Sequence, residues 1–428
     1  MDTLDTRPFG FWMATALVVG GMIGSGIFMM PAALAPFGWT GTIAWVISIS
    51  GAIAIAFTLA RLAQATPQAT GAVAVTGAIL GEMPGVLVGW SYWVSVWSAN
   101  AAISIAAASY LAALVPALDA SPLTGSLSAV AVLWLLTSLN LAGAKRAGQF
   151  QIVTTIVKLA PLVAVILIAV LLGAQGRTHL AAFPPRGALF AGIGTAVTLT
   201  LFPLVGFEAA GVAAERVRDP ARILMRASLA GTILTGALYI IVCSTIVLIL
   251  PASQVAASSA PFALFVGQFW GNGMSLVVAA FAAIAAIGAL NGWVLIQGEV
   301  PLGMARAGLL PPWFSRVSKR DVPVRVLLLS SSLASLLILS NTSPTLGGVF
   351  QFMAVLTTCS SLWLYLAVCV AALRRGVAVP AALVGLLFTL VAFWGAGWQA
   401  SSLSIVLMLT AVPLYLLRPR RSSAPQPA

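Results

Sequence analysis

The chain has 428 residues, of which 61% are hydrophobic and only 7% are charged, and its mean hydropathy is +1.06. A soluble globular domain carries roughly a quarter charged residues, so the composition excludes a soluble protein and predicts a chain that lies mostly in a bilayer. The net charge of +12 does not indicate nucleic-acid binding, because the basic residues stand between apolar runs.

The first predicted span, residues 11–36, is apolar but interrupted by glycine. Its stretch from Phe11 to Ala35 contains no charged residue, yet residues 20–26 read Gly-Gly-Met-Ile-Gly-Ser-Gly. Glycine lets the backbone leave helical geometry, and unwound backbone at bilayer depth is tolerated where it lines a buried polar cavity. We therefore predict a broken helix here. The alternative is a face of small residues against which another helix packs closely.

A break at Gly24-Ser25-Gly26 has a chemical consequence. The helix that ends there presents carbonyl oxygens with partial negative charge, and the helix that begins there presents N–H groups with partial positive charge. The N–H groups favour a carboxylate, whereas the carbonyls favour an ammonium. The segment is therefore a predicted binding site for the two groups that α-amino acids share.

Twelve spans are predicted in all, because a helix needs about 20 apolar residues to cross a bilayer. Their approximate bounds are 11–36, 40–62, 84–115, 124–144, 148–173, 188–213, 226–250, 272–305, 323–341, 347–373, 378–396 and 399–417. The predicted fold class is an all-α integral membrane protein. Between the seventh and eighth spans, the aromatic-rich segment 252–271 predicts a short helix at the membrane interface.

Three polar side chains inside the spans are candidate functional residues: Asn100, Lys158 and Glu208. An ionisable group at the bilayer centre costs about 2.5–3.5 kcal/mol on insertion scales, so it usually has a function. Glu208 could balance a cationic substrate, carry a proton or hold a gate. For Lys158 three partners stay open: carbonyls at a broken helix, an acid, or the cytoplasmic membrane surface, which the side chain would reach by snorkelling.

Two aromatic residues in the spans are candidates for substrate contact. Trp293 follows a glycine in the eighth span and could cover an aliphatic chain or stack on a cation. Phe202 precedes an interruption of the sixth span and could act as a gate. Ordinary packing is the alternative for each. Thr357 in the tenth span could add a polar group to the lining.

A second interruption, from Pro203 to Glu208, predicts an internal repeat. An odd number of spans, five, separates it from the first interruption, so the second copy is inverted in the membrane. Repeat one covers about 11–173 and repeat two about 188–373, two extra spans cover 378–417, and the tails are 1–10 and 418–428. Such a repeat places the substrate between the two broken helices near the midplane.

The basic residues predict the orientation. Connections on the side of the N-terminus carry 18 Lys and Arg residues, against 2 on the opposite side. This excess marks the cytoplasmic side, so the chain is expected in a cell inner membrane with both termini in the cytoplasm.

The three cysteines lie in apolar segments and the single histidine lies in a loop, so neither a metal nor a cofactor is expected.

Motifs along nearly the whole chain resemble those of the amino acid–polyamine–organocation permeases, most closely the basic amino acid/polyamine antiporters of the arginine/agmatine type. The motifs are Gly-Ser-Gly-Ile-Phe at 24–28 with Pro31-Ala32, Gly-Phe-Glu-Ala-Ala at 206–210, Asp-Pro-Ala-Arg at 219–222, Gly292-Trp293 and Gly-Leu-Leu-Pro-Pro at 308–312. The resemblance implies a five-plus-five inverted repeat with broken helices 1 and 6.

The resemblance also implies roles for particular residues. Those assigned to the substrate are Ile23, Ser25 and Gly26 at its carboxylate and amine, Ser95, Val96 and Asn100 near its distal group, Trp293 against its chain, and Phe202 as a gate. Glu208 matches an acid linked to switching and to diamine binding. Lys158 departs from the arginine/agmatine type, because it matches a lysine of neutral amino acid exchangers and cationic amino acid transporters.

The implied function is secondary active transport by alternating access, as an antiporter of amino acids or their amines. The expected partners are a small amino acid or amine, the lipid bilayer and a second copy in a homodimer, without nucleic acid. The alternatives are a neutral amino acid exchanger and a proton-coupled amino acid permease; Lys158 favours neutral amino acids as the substrate. A membrane enzyme is disfavoured because the spans show no nucleophile–base or metal constellation, and a channel because no filter ring is visible.

Overall fold

The computed structural model describes residues 11–69, 71–143, 157–207, 220–340, 343 and 345–417, and within these ranges it consists of helices and connecting turns without a strand. The α-helices are α1 (Phe11–Met22), α2 (Ser25–Leu34), α3 (Trp39–Gln64), α4 (Ala72–Leu80), α5 (Glu82–Leu114), α6 (Pro122–Leu141), α7 (Ala160–Ala174), α8 (Arg186–Leu189), α9 (Ile193–Leu201), α10 (Pro220–Ile249), α11 (Ala252–Ala257), α12 (Pro261–Trp270), α13 (Asn272–Arg306), α14 (Val324–Ser340), α15 (Leu346–Arg375), α16 (Val379–Leu409) and α17 (Ala411–Leu416). Short 3-10 helices occupy Ala35–Phe37, Pro116–Asp119, Phe202–Leu204 and Pro312–Ser315.

The predicted all-α membrane fold with about twelve spans is confirmed. Within the described ranges, seven helical stretches are long and apolar enough to cross a bilayer, and the bent pair α1–α2 adds an eighth. Three further helices, α7, α9 and α14, are apolar but shorter. The last stretch, α16 with α17, covers 38 residues and is interrupted at Gly397, which has φ 77°.

Helix α5 forms the centre of the bundle. Nearly every residue from Gly85 to Ala112 is buried, and the helix packs on α13 and α15. Its many Ala and Ser residues allow this close approach. The hydroxyls of serines such as Ser98 and Ser104 donate hydrogen bonds to the backbone carbonyl one turn earlier in the same helix. Small residues at helix interfaces are typical of membrane bundles. The central position of α5 places its middle beside both helix breaks.

The segment between α10 and α13 differs from the predicted interfacial helix. It forms two helices, α11 and α12, and Phe262 and Phe265 of α12 are completely buried. The ring of Phe262 lies 5.1 Å from that of Phe28 in α2, and its backbone N–H donates to the hydroxyl of Tyr110. Contacts with the aromatic residues Phe28 and Tyr110 therefore bury the apolar face of α12 in the protein core.

Candidate functional site

The first span breaks where the glycines predict it. Helix α1 ends at Met22, α2 begins at Ser25, and the two halves of the span meet at a bend of 48°. Between them, Gly24 has an extended backbone, with φ −130° and ψ −158°. The last carbonyls of α1 and the first N–H groups of α2 therefore lack partners within their own helices.

Side chains from distant spans bond the carbonyls at the end of α1. The ammonium of Lys158, which precedes α7, donates to the Gly20 carbonyl at 3.1 Å. The hydroxyl of Tyr239 in α10 donates to the Met22 carbonyl at 2.8 Å. Both side chains are buried. A cation at a helix C-terminus is favourable because the carbonyl ends carry partial negative charge. Of the three partners considered for Lys158, the structure shows carbonyl oxygen at the broken helix.

The sixth span also breaks, but through a different local structure. Helix α9 ends at Leu201, a 3-10 turn follows over Phe202–Leu204, and Gly206 has φ 120°. Pro203 cannot donate a hydrogen bond to the preceding turn. The hydroxyl of Ser228 donates to the Phe207 carbonyl at 3.1 Å. Glu208, the predicted coupling acid, lies outside the described residues.

The two breaks contact each other. A Cβ placed on Gly26 would lie 3.1 Å from ring atoms of Phe202 and 3.1 Å from the Cα of Pro203. A Cβ placed on Gly206 would lie 3.6 Å from the Gly21 carbonyl oxygen. Glycine on each side thus lets the two interrupted backbones approach, as expected for paired broken helices at one site.

A small cavity lies between the breaks and helices α5, α13 and α15. Three of the residues predicted for substrate contact line it, namely Gly26, Phe202 and Trp293, and so does Thr357. The free volume is about 20 Å³, which is room for about one water molecule. An amino acid needs more space, so its entry requires side chains to move. The obvious candidate is Phe202, whose ring packs edge-on at 5.6 Å against Phe350.

Other residues predicted to contact the substrate do not line this cavity. Ile23, Ser95, Val96 and Asn100 are fully buried, but none of them lines the cavity. The Ser95 hydroxyl donates to the Tyr92 carbonyl of its own helix at 2.7 Å. The side chain of Ser25 lies outside the described residues, although its backbone begins α2.

Apolar residues that were not predicted to contact the substrate also line the cavity. Met22, Ala99, Ile103, Pro203 and Val205 all face the cavity. Ala99 and Ile103 are spaced by four on α5 and therefore share one helix face. Their spacing alone does not separate a cavity wall from ordinary packing, because both residues are typical of a helix interface.

Amide side chains connect the helices next to the cavity. Nδ2 of Asn100 donates to Oε1 of Gln297 on α13 at 2.7 Å. Nδ2 of Asn140 on α6 lies 3.1 Å from Oδ1 of Asn291, two residues before Trp293. Trp293 is therefore flanked on α13 by two amides that bond neighbouring helices. The sequence analysis singled out Asn100 and Trp293 but not Gln297.

Comparison with known proteins agrees with this architecture. Residues 9–417 match the family described as amino acid permease. The cadaverine/lysine antiporter of Escherichia coli (strain K12) is 31% identical over 354 residues, which cover 80% of this chain and 77% of that protein. The putative arginine/ornithine antiporter of Bacillus subtilis (strain 168) is 30% identical over 392 residues, covering 85% and 83%. The putrescine transporter PotE of Escherichia coli (strain K12) is 28% identical over 433 residues, covering 98% of each chain.

Proposed function

The chain belongs to the amino acid permease family, and we propose that it exchanges basic amino acids and their decarboxylated amines across the membrane by alternating access. The observation that carries the proposal is the meeting of two broken helices at a cavity lined by Gly26, Phe202 and Trp293. Three relatives whose names specify cadaverine and lysine, arginine and ornithine, or putrescine support a cationic substrate.

The proposed binding mode follows from the first break. The α-amine contacts carbonyls at the end of α1, and the carboxylate accepts hydrogen bonds from the first N–H groups of α2, where Ser25 and Gly26 lie. The aliphatic chain packs on Trp293, which can also contact a cation through its ring face. Phe202 moves away from Phe350 to admit the substrate. Glu208 supplies countercharge.

The proposal includes the setting of the protein. It is a multi-pass protein of the cell inner membrane with both termini in the cytoplasm, as the distribution of Lys and Arg favours, and it assembles as a homodimer. Substrates cross without chemical change, so no catalysed reaction is part of the proposal. The described residues contain no group of His, Cys, Asp and Glu suited to a metal ion.

A second candidate function is exchange or proton-coupled uptake of neutral amino acids. The observation that bears on it is the bond between Lys158 and the Gly20 carbonyl at 3.1 Å, because the resemblance associates this lysine with neutral amino acid exchangers as well as with cationic amino acid transporters, and not with the arginine/agmatine type. Basic and neutral amino acids differ in the distal group and share the α-amine and carboxylate, whereas the decarboxylated amines lack the carboxylate.

Substrate binding and counterflow test the proposed function. The purified protein is titrated with lysine, arginine, cadaverine, putrescine, leucine and alanine over a range of pH. Proteoliposomes preloaded with each unlabelled ligand are then assayed for accumulation of the labelled one. The proposal predicts binding and accumulation of the basic amino acids and amines. Accumulation of leucine and alanine alone would support the second candidate.

The variant Glu208→Ala tests the countercharge. We expect it to weaken transport of lysine and cadaverine by about tenfold, because the proposed ion pair with the substrate is lost, and to affect a transported neutral amino acid less. The measurement is the KM of counterflow for each substrate. An equal loss for cationic and neutral substrates would remove the countercharge role.

A further inference from the structure

The connection between α13 and α14 concentrates positive charge at the surface of the bundle. From the last residue of α13 to the first turn of α14, the chain carries one acid, Asp321, and five basic residues: Arg306, Arg316, Lys319, Arg320 and Arg325. The same stretch holds Trp313 and Val317, two apolar side chains that are each 40% exposed. A connection between two apolar helices lies where the bilayer meets water, and basic and aromatic residues are enriched there.

Two of the five basic side chains already have an oxygen partner within the protein. Arg306 forms an ion pair with Asp321, with 3.4 Å between Nη2 and Oδ1. Nη1 of Arg320 donates to the Ala142 carbonyl at 3.3 Å, at the end of α6, where the carbonyls carry partial negative charge. The single acid of the connection is therefore used by Arg306.

The other three side chains have no oxygen partner among the described residues. Arg316, Lys319 and Arg325 form neither a hydrogen bond nor an ion pair there, and all three are exposed. Arg325 also lies in the first turn of α14, where the partial positive charge of the helix end makes a further cation unfavourable. An anion bound beside these side chains would offset that charge.

Trp313 is held beside two of these guanidinium groups. Cζ of Arg325 lies 5.8 Å from the centre of the Trp313 ring. Arg316 follows Trp313 by three residues, which is one turn of the short 3-10 helix in this connection, so the two residues share a side. The buried ring of Phe314 packs edge-on at 4.9 Å against Trp313 and lies 5.9 Å from the ring of Trp90 on α5. These contacts anchor the exposed indole to the core.

An exposed apolar stripe continues from Arg325 along α14. Leu328, Leu336 and Leu339 are exposed, and their separations of three or four residues, or multiples of four, keep them on the face of Arg325. From Arg325 to Leu336 the helix rises about 16 Å, which is close to the roughly 15 Å of hydrocarbon in one leaflet. The surface thus combines positive charge, an aromatic ring and an apolar track of the length of an acyl chain.

We propose that this surface binds an anionic phospholipid, with phosphatidylglycerol as the simplest example. The phosphate accepts hydrogen bonds from Arg316 and Arg325, whose planar N–H groups match phosphate oxygens. The glycerol backbone contacts Trp313, and one acyl chain lies along Leu328 and Leu336. A soluble phosphate compound would use only the charged part of this surface. The lipid partner goes beyond the proposed function and holds for any amino acid or amine that the protein carries.

Lipid binding to the purified protein in detergent tests the inference. Native mass spectrometry measures the Kd of phosphatidylglycerol and of phosphatidylcholine, a zwitterionic lipid with the same acyl chains. We expect Arg316→Gln combined with Arg325→Gln to raise the Kd of phosphatidylglycerol by about tenfold and that of phosphatidylcholine by less than about twofold, because basic residues near the membrane surface attract anionic lipids. Trp313→Ala should raise both values, since both lipids have a glycerol backbone.

Matched measurements separate this site from a general effect of charge. Arg374→Gln combined with Arg375→Gln removes the same charge from two exposed residues in the last turn of α15, and should change the Kd of phosphatidylglycerol by less than about twofold. Glycerol 3-phosphate, which has the phosphate but no acyl chain, should not displace the lipid, because it lacks the apolar contacts.

An unchanged Kd of phosphatidylglycerol in Arg316→Gln with Arg325→Gln would overturn the inference, and so would an equal rise in the two double variants. Displacement of the lipid by glycerol 3-phosphate would also overturn it, since the ligand would then be a soluble phosphate compound. No transported substrate enters these measurements, so each of these results leaves the proposed function in place.

Discussion

The two helix breaks use glycine for different reasons. At the first break, the φ of −130° at Gly24 is open to any residue, but a Cβ there would lie 3.1 Å from the Cβ of Ala289. At the second break, Gly206 has φ 120°, and a Cβ there would meet no atom closer than 3.5 Å. Residues with a Cβ rarely adopt that conformation. Glycine is therefore needed at the first break because a Cβ would be crowded there. It is needed at the second break because residues with a Cβ rarely adopt the backbone conformation of Gly206.

The breaks also differ in how their carbonyls are bonded. The first break receives Lys158 and Tyr239, two long side chains from other spans. The second receives the short side chain of Ser228 on the Phe207 carbonyl and carries Phe202, which packs on another ring. The two long side chains therefore tie the end of α1 to spans that lie far from it in the chain.

The largest expected effect comes from filling the contact between the breaks. In Gly26→Val, the new Cβ lies 3.1 Å from the Phe202 ring and from the Pro203 Cα, and the backbone of Pro203 cannot rotate away. We expect counterflow to fall by about a hundredfold, because overpacking costs about 1–3 kcal/mol and separates the two breaks. Gly303→Ala is the control, since a Cβ there meets nothing within 4 Å. Near-normal transport by Gly26→Val would contradict close contact of the breaks.

The conformational difference predicts unequal stability losses for the same substitution. Gly206→Ala should lower the free energy of unfolding by about 1–3 kcal/mol, the usual cost of holding a residue in a rare backbone conformation. Gly24→Ala should lower it by about 1 kcal/mol, the low end of the cost of overpacking, because the single close contact at 3.1 Å is with the Cβ of Ala289. Reversible unfolding in detergent micelles measures both values. A greater loss of unfolding free energy in Gly24→Ala than in Gly206→Ala would contradict this distinction between the breaks.

The smallest effects come from the bonds to the carbonyls of α1. Lys158→Met should lower turnover by about tenfold and Tyr239→Phe by about threefold, since charge-assisted hydrogen bonds contribute roughly twice as much as neutral ones. Because these bonds hold the backbone of α1 and not the substrate's distal group, the loss should be the same for every transported substrate. Initial rates of counterflow at saturating substrate measure it. Unchanged turnover in Lys158→Met would show that the first break holds its shape without the ammonium.

The fold could be predicted from the sequence because its signals are local. Apolar runs of about 20 residues define the spans, and the glycines from Gly20 to Gly26 place the first break within the stretch where the structure has it. The aromatic segment 252–271 was harder, since its burial depends on Phe28 and Tyr110, which lie far away in the chain.

The site was only partly predictable because its contacts join distant residues. Lys158 had three candidate partners, and the Gly20 carbonyl lies 138 residues away. Gln297 was not singled out, since it is an uncharged residue whose partner Asn100 lies 197 residues away. Gly26 was predicted from the glycine interruption, Phe202 and Trp293 were candidates from their places in the spans, and the resemblance then implied their roles. Apolar wall residues such as Ile103 carry no chemical signal in the sequence.

Exchange at the two breaks is the central claim, and efflux from proteoliposomes tests it most directly. Vesicles that contain the protein are loaded with labelled lysine and diluted into buffer with or without cadaverine. We predict rapid loss of label with external cadaverine, retention of label in plain buffer, and retention in both buffers for vesicles with Gly26→Val. Equally rapid loss of label with and without external cadaverine would contradict an exchanger.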